Sequence, residues 1–255
     1  MLEAEIRNIT GDIELHVIDF KLLTDDKIKL LDSRIVGICE GESDSTVIQV
    51  KKNFLKFLST KDERTILGAI AEFFVHLYLN ENGFKQEFLF FNLEEGSIKK
   101  GFDGYFSKDN EEYIVESKSG KSSTKNISHK SKIKKAYDDV KTNVEGTSKK
   151  GTNNPWKNAY NHASHIDVQC KGTIRKKIKA LSDLFDSGEF REVDEFNIIP
   201  CSTIFLDGVW DDGFSTDILN LDIEFLTGIK AKTTRMICIT KNSSDKFIEY
   251  LELPL

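Results

Sequence analysis

The chain has 255 residues, of which 39% are hydrophobic and 31% charged, enough for a core in one large domain or two small ones. No apolar run approaches the ~18 residues that a membrane crossing needs, and the N-terminus lacks the basic and apolar segments of a secretion signal. The four cysteines are scattered without a Cys-x-x-Cys pair, so neither a disulfide framework nor a zinc finger is indicated. We therefore expect a cytoplasmic protein.

Charge is distributed unevenly along the chain. The net charge is -6, yet residues 118–180 contain sixteen Lys/Arg and four Asp/Glu, which gives this stretch +12 and leaves -18 for the rest. Such asymmetry predicts a basic surface on an acidic body and is typical of contact with a polyanion. A solvated pair of lysine-rich helices is the alternative explanation.

The first 59 residues are predicted to form an α+β addition or small subdomain. Apolar and polar residues alternate over residues 13–20, which predicts a strand, and residues 26–31 have a helical pattern. Residues 47–58 fit a strand and a helix equally well.

A long helix is predicted to begin at Thr60. Thr60 and Glu63 match the S/T-x-x-E capping box, and Asn82-Gly83 is a typical helix end. Apolar residues recur between these points at helical spacing: Ile66, Ile70, Phe73, Phe74 and Leu77. A buried strand is then predicted over residues 84–91.

Two short strands, residues 101–106 and 113–118, are predicted to form a hairpin. Further helices are predicted over residues 130–144, 173–185 and 217–226, and further strands over residues 196–206 and 235–240. The order of elements predicts an α/β domain over residues 60–255, with a mixed sheet flanked by helices.

The hairpin carries the most informative residues. Glu116 and Lys118 project from the same face of a strand, because residues two apart share a face. If the turn is symmetric about Asp109 and Asn110, Asp103 lies opposite Glu116. Like charges at paired positions destabilise a sheet, and a divalent cation bound by both carboxylates would reverse that effect.

Asp103 followed by Glu116-Ser117-Lys118 resembles the signature of the PD-(D/E)XK nuclease family. Phe102 stands where the family often has proline, and Glu72 matches the glutamate that many members carry on the first core helix. The resemblance implies a restriction-endonuclease-like fold. It also implies Mg²⁺ or Mn²⁺ held by Asp103, Glu116 and Glu72, with Lys118 orienting the attacking water or binding the phosphate.

The function implied is metal-dependent hydrolysis of phosphodiester bonds, with DNA as the expected substrate and RNA as an open alternative. Basic residues after the hairpin are expected to contact phosphates: Lys121, Lys125, Lys130, Lys134, Lys135, Arg175, Lys176 and Lys177. The alternative is a nuclease-like DNA-binding or regulatory subunit whose site is silent or controlled by a partner.

A looser resemblance concerns the segment Lys100-Gly-Phe-Asp-Gly104 and the lysine-rich helix after Lys118. This arrangement is similar to the nuclease subunits (HamA) of Hachiman anti-phage systems. The resemblance implies a role in antiviral defence and a helicase partner that restrains the nuclease.

Overall fold

Seven strands form one mixed sheet in the computed structural model, which describes residues 2–90, 101–148 and 154–254. Side by side, the strands are β1 (Glu5–Thr10), β2 (Ile13–Phe20), β7 (Thr233–Lys241), β6 (Asn197–Phe205), β5 (Glu111–Lys121), β4 (Gly104–Lys108) and β3 (Lys85–Gln86). Helices cover both faces, so the predicted α/β class with a mixed sheet flanked by helices is confirmed.

The four central strands, β2, β7, β6 and β5, run parallel, and antiparallel strands lie at both edges. Every residue of β6 is buried, as expected for a parallel strand that is covered on both faces. One face packs against α1 (Asp25–Glu40), α2 (Val47–Ser59), α3 (Glu63–Glu81) and α9 (Asp245–Glu252). The other packs against α4 (His129–Val144), α5 (Pro155–Ala163), α6 (Gly172–Asp186), α7 (Gly213–Leu219) and α8 (Ile223–Thr227).

The N-terminal segment contributes to the same sheet and the same core. β2 pairs along its whole length with β7, and α1 and α2 pack in the hydrophobic cluster of α3. The ambiguous run 47–58 is helical: Thr46 and Gln49 form a capping box, and Val50 and Phe54 bury one helical face.

The predicted start of the long helix at Thr60 is wrong. α3 begins after Asp62, whose Oδ1 accepts a hydrogen bond from the backbone N–H of Thr65 at 2.7 Å. Thr60 instead ends α2, and its hydroxyl donates to the carbonyl of Phe57 at 2.8 Å. Aspartate and threonine are both good N-cap residues, so the sequence contains two possible helix starts, at Thr60 and at Asp62.

The predicted strand over residues 84–91 is much shorter in the structure. β3 contains only Lys85 and Gln86, and Phe91 lies outside the described residues. The amide of Gln86 donates to the carbonyl of Phe88 at 2.6 Å, which turns the chain out of the sheet. Residues 88–90 are apolar because Phe88, Leu89 and Phe90 are buried in the core, although none of them is in a strand.

The hairpin of β4 and β5 has the predicted register, with Gly104 opposite Val115. Asp109 and Asn110 form its turn with φ of 51° and 65°, the left-handed conformation that these residue types tolerate. β5 continues to Lys121, three residues beyond the predicted end.

The later elements agree with the sequence patterns in part: α5 and α9 were not predicted, and one predicted helix is divided. α4, α6, β6 and β7 match their predicted segments to within two residues at either end. The predicted helix over 217–226 is two short helices, α7 and α8, because Asp222 caps a new helix by accepting from the N–H of Phe225. In the described ranges, no helix combines the length and apolar content that a membrane crossing requires.

Candidate active site

β5 points Glu116 and Lys118 toward α4. Ile114 belongs to the core on the α4 side of the sheet, and Val115 belongs to the core on the α3 side. Because side chains alternate along a strand, the even-numbered Glu116 and Lys118 share the face of Ile114. The two functional groups predicted from the E-x-K pattern therefore lie together, between the sheet and α4.

Asp103 lies just beyond the last paired residue of β4. Its backbone N–H donates to the carbonyl of Val115 at 3.1 Å, and its Oδ2 accepts from the N–H of Ser117 at 2.7 Å. The carboxylate thus replaces a backbone partner where the β4–β5 ladder ends. This pair of hydrogen bonds fixes Asp103 beside Glu116, as the predicted register requires.

Glu116 is buried, with 4% of its surface exposed. Its Oε1 contacts the ammonium of Lys118, and its Oε2 is buried without a hydrogen-bond partner among the described residues. Burial, and then the charge of Asp103, raise the pKa of Glu116 to about 8, against the opposing effect of Lys118. The neutral form of Glu116 is therefore favoured at pH 7, and a cation bound between Glu116 and Asp103 would supply the neutralisation that the proton otherwise supplies.

Lys118 lies between carboxylates from two elements. Its ammonium contacts Glu116 and lies 3.1 Å from Oδ2 of Asp139 in α4. Burial lowers the pKa of Lys118, but the charges of Glu116 and Asp103 outweigh burial and raise it overall, so the ammonium stays protonated. Asp139 was not predicted; the signal was an acidic pair, with Asp138, inside a strongly basic segment.

Glu72 is buried in α3, one helical turn before His76. Its neighbours Ala71 and Phe73 belong to the core on the α3 face of the sheet. Within residues 2–90, 101–148 and 154–254, no group of three or more His, Cys, Asp or Glu is placed to hold a metal ion. Asp103 and Glu116 lie at paired positions of the hairpin, and Glu72 as a third metal ligand stays a prediction.

His76 connects α3 to the same region from the opposite face. Its Nε2 lies 3.3 Å from the carbonyl oxygen of Asp103, and its Nδ1 lies 3.0 Å from Oε1 of Gln86. A Cβ on Gly104 would lie 3.2 Å from Nε2 of His76 and 2.8 Å from the ring of Phe106. Glycine at this position lets α3 approach the strand that carries Asp103.

Asp103 and Glu116 fit a divalent cation that prefers oxygen ligands. Two carboxylates face each other, and the free Oε2 of Glu116 lacks a partner. Mg²⁺ and Mn²⁺ sites in proteins use one or two carboxylates and complete their coordination with water and substrate oxygens. The donor set thus suits such an ion without a third protein carboxylate.

The cations predicted to contact nucleic acid are not equivalent. Three of them contact acidic side chains: Lys121 contacts Glu63, Lys134 contacts Asp138, and Lys177 lies 3.0 Å from Glu112. Lys130 lies 4.9 Å from the ring centroid of Phe225. The remaining four are Lys125, Lys135, Arg175 and Lys176, all exposed.

These cations also lie at two ends of β5. Lys177 in α6 contacts Glu112, next to the hairpin turn, whereas Lys121 is the last residue of β5. Lys121 is nine positions after Glu112, which corresponds to about 30 Å of extended chain. The basic stretch 118–180 is therefore divided between two surfaces.

The chain matches no family model and no curated protein sequence.

Proposed function

We propose that this protein is a metal-dependent nuclease that hydrolyses phosphodiester bonds, with a restriction-endonuclease-like core of the PD-(D/E)XK type. The observation that carries the proposal is the buried Glu116, whose Oε2 has no described partner and whose neighbour across the hairpin is Asp103. Two adjacent carboxylates beside a lysine are what metal-assisted phosphodiester hydrolysis requires. Lys100, part of the looser resemblance, lies outside the described residues.

Asp103 and Glu116 would hold the Mg²⁺ or Mn²⁺ ion, which supplies a water of lowered pKa and neutralises charge on a phosphate oxygen. Lys118 holds its ammonium next to Glu116, where it can orient the attacking water or bind the phosphate as a compact positive charge. α4 closes this face of the sheet, so these charges interact in a region of low water content.

A second candidate function is a nucleic-acid-binding or regulatory module whose site is silent. One observation favours it: Lys118 is engaged by Glu116 and Asp139 together, so its ammonium is not free for a substrate in this arrangement. DNA as the substrate, a role in antiviral defence and a helicase partner remain predictions from the resemblance.

The test is cleavage of linear duplex, circular duplex and single-stranded DNA and of RNA, with Mg²⁺, with Mn²⁺ and with EDTA. We expect cleavage that requires the metal and is lost in Glu116→Gln. Glu111→Gln is the matched control, because Glu111 lies on the same strand but pairs with Lys232 at the surface. If Glu116→Gln cleaves like the parent, the assigned site is wrong. If no substrate is cleaved but nucleic acid is bound, the silent module is the correct function.

A further inference from the structure

Three cations from two helices meet where β5 ends. Arg64 lies in the first turn of α3, and Lys132 and Lys135 lie in the first two turns of α4. Nζ of Lys132 is 3.0 Å from the point that a Cβ on Gly120 would occupy, so the Lys132 side chain lies over the end of β5. The contact between Glu63 and Lys121 brings the start of α3 to the same place.

None of these three side chains forms an ion pair within the part of the chain that the structure describes. The acidic neighbours of Arg64 are Asp62, which caps α3, and Glu63, which contacts Lys121. Burial, followed by the charges of Lys135, Arg64 and Lys118, lowers the pKa of Lys132. Four positive charges are thus close enough to repel one another. An anion that binds the folded protein at such a place reduces this repulsion and stabilises the protein.

We propose that Arg64, Lys132 and Lys135 bind consecutive phosphates of a nucleic-acid strand and lead that strand to Lys118. Lys118 lies two residues before Gly120 on β5, so the cation cluster is continuous with the candidate active site. This inference rests on the proposed function for the identity of the ligand. It adds Arg64 and Lys132, which the sequence patterns did not indicate, to the residues that contact phosphates. It excludes the basic residues of α6 from those contacts.

Phosphates fit this surface because the cations are separate point charges on two helices rather than a pocket for one small anion. Arg64 and Lys135 are exposed, and Lys132 is half-buried over the strand. α6 carries exposed Arg175 and Lys176, but Lys177 places that helix beside Glu112, at the turn end of the hairpin. The cluster of Arg64, Lys132 and Lys135 therefore lies at the opposite end of β5 from Lys177.

The experiment measures binding of a duplex oligonucleotide in EDTA, so that no cleavage is needed, over a range of salt concentrations. The test variant is Arg64→Gln with Lys132→Gln and Lys135→Gln; the matched control is Arg175→Gln with Lys176→Gln. For the test variant we expect the slope of log affinity against log salt to become shallower by about 0.9 for each phosphate contact removed. The control should keep the parental slope.

Thermal melting of the same variants separates lost binding from lost folding. Removing mutually repelling charges should leave the apo melting temperature unchanged or higher in the test variant. An unchanged slope in the test variant, an equal loss in the α6 control, or no binding by the parent would each overturn the inference. Binding with the expected slope change but no cleavage in Mg²⁺ would instead overturn only the proposed nuclease activity.

Discussion

Lys118, which is partly buried, and Lys241, which is fully buried, are two lysines of the same sheet with opposite environments. Lys118 lies between the carboxylates of Glu116 and Asp139. Lys241, at the end of β7, is 2% exposed, and its Nζ lies 4.4 Å and 4.5 Å from the ring centroids of Phe20 and Phe74. Burial, with a smaller effect of the nearby Lys27, lowers the pKa of Lys241 to about 7. The pKa of Lys118 is raised instead.

The difference shows which observation identifies a candidate site. Burial disfavours the charged form of both lysines, and aromatic rings compensate Lys241 only in part. The carboxylates around Lys118 reverse the direction of its pKa shift. A buried charge alone is therefore a stability cost, whereas a cluster of opposite charges from β5, α4 and the start of β4 is an arrangement that can do chemistry.

The largest expected effect is on cleavage. Lys118→Met removes the ammonium at constant shape and should lower the rate of phosphodiester hydrolysis by roughly two to four orders of magnitude. Lys241→Met is the same substitution at a more deeply buried position away from the carboxylates and should leave the rate unchanged. Single-turnover cleavage with Mn²⁺ measures both. Equal rates in the two variants would remove the distinction between the two lysines.

The second effect is on stability, with opposite signs. Lys241→Met should increase the free energy of unfolding by roughly 2–4 kcal/mol, since one pKa unit corresponds to about 1.4 kcal/mol and a thioether packs well on phenylalanine. Lys118→Met should decrease it by about 1–3 kcal/mol, because Glu116 and Asp139 then lack the cation that they contact. Urea unfolding in EDTA measures both changes, and a loss of stability in Lys241→Met would contradict the comparison.

The third effect is a pH dependence that belongs to Lys241. Its pKa is about 7 in the folded protein and about 10.5 in the unfolded chain, so the unfolded state binds more protons between these values. The free energy of unfolding of the parent, measured relative to Lys241→Met, should therefore rise with pH from 7 to 10.5. The slope is at most about 1.4 kcal/mol per pH unit. A difference between the two proteins that is independent of pH would show that Lys241 is charged throughout.

The smallest effect concerns Asp103 and the metal. Asp103→Asn keeps an oxygen that can accept from the N–H of Ser117 and removes one of two facing charges. In EDTA this variant should melt at the same temperature as the parent or up to a few degrees higher. Mn²⁺ should raise the melting temperature of the parent and much less that of the variant, by mass action. A variant clearly less stable in EDTA would make Asp103 a structural residue.

The hairpin was predictable because its determinants are local. Asp109 and Asn110 tolerate positive φ, so they mark the turn, and the register then follows by counting. Asp103, Glu116 and Lys118 are brought together by that register alone. This part of the site is confirmed as geometry, although its chemistry remains a prediction.

Contacts between elements were not predictable in the same way. Asp139 reaches Lys118, and Arg64 approaches Lys132, only because α3 and α4 cross the sheet at particular positions. The spacing of residues within a helix does not contain that information. Glu72 stays a prediction for the same reason, since the order of elements suggests a metal ligand but does not contain the position of its carboxylate relative to Asp103.

The position of β7 has a consequence for synthesis. β7 lies between β2 and β6, and its Thr234 pairs with Ile13, from the beginning of the chain. Until residues 233–241 have left the ribosome, β2 and β6 expose unpaired edges, and β6 cannot support β5 within a completed sheet. Pairings between such distant residues also form late in folding. On the function proposed above, a partly synthesised chain therefore cannot cleave nucleic acid, and activity begins only when the last strand is in place.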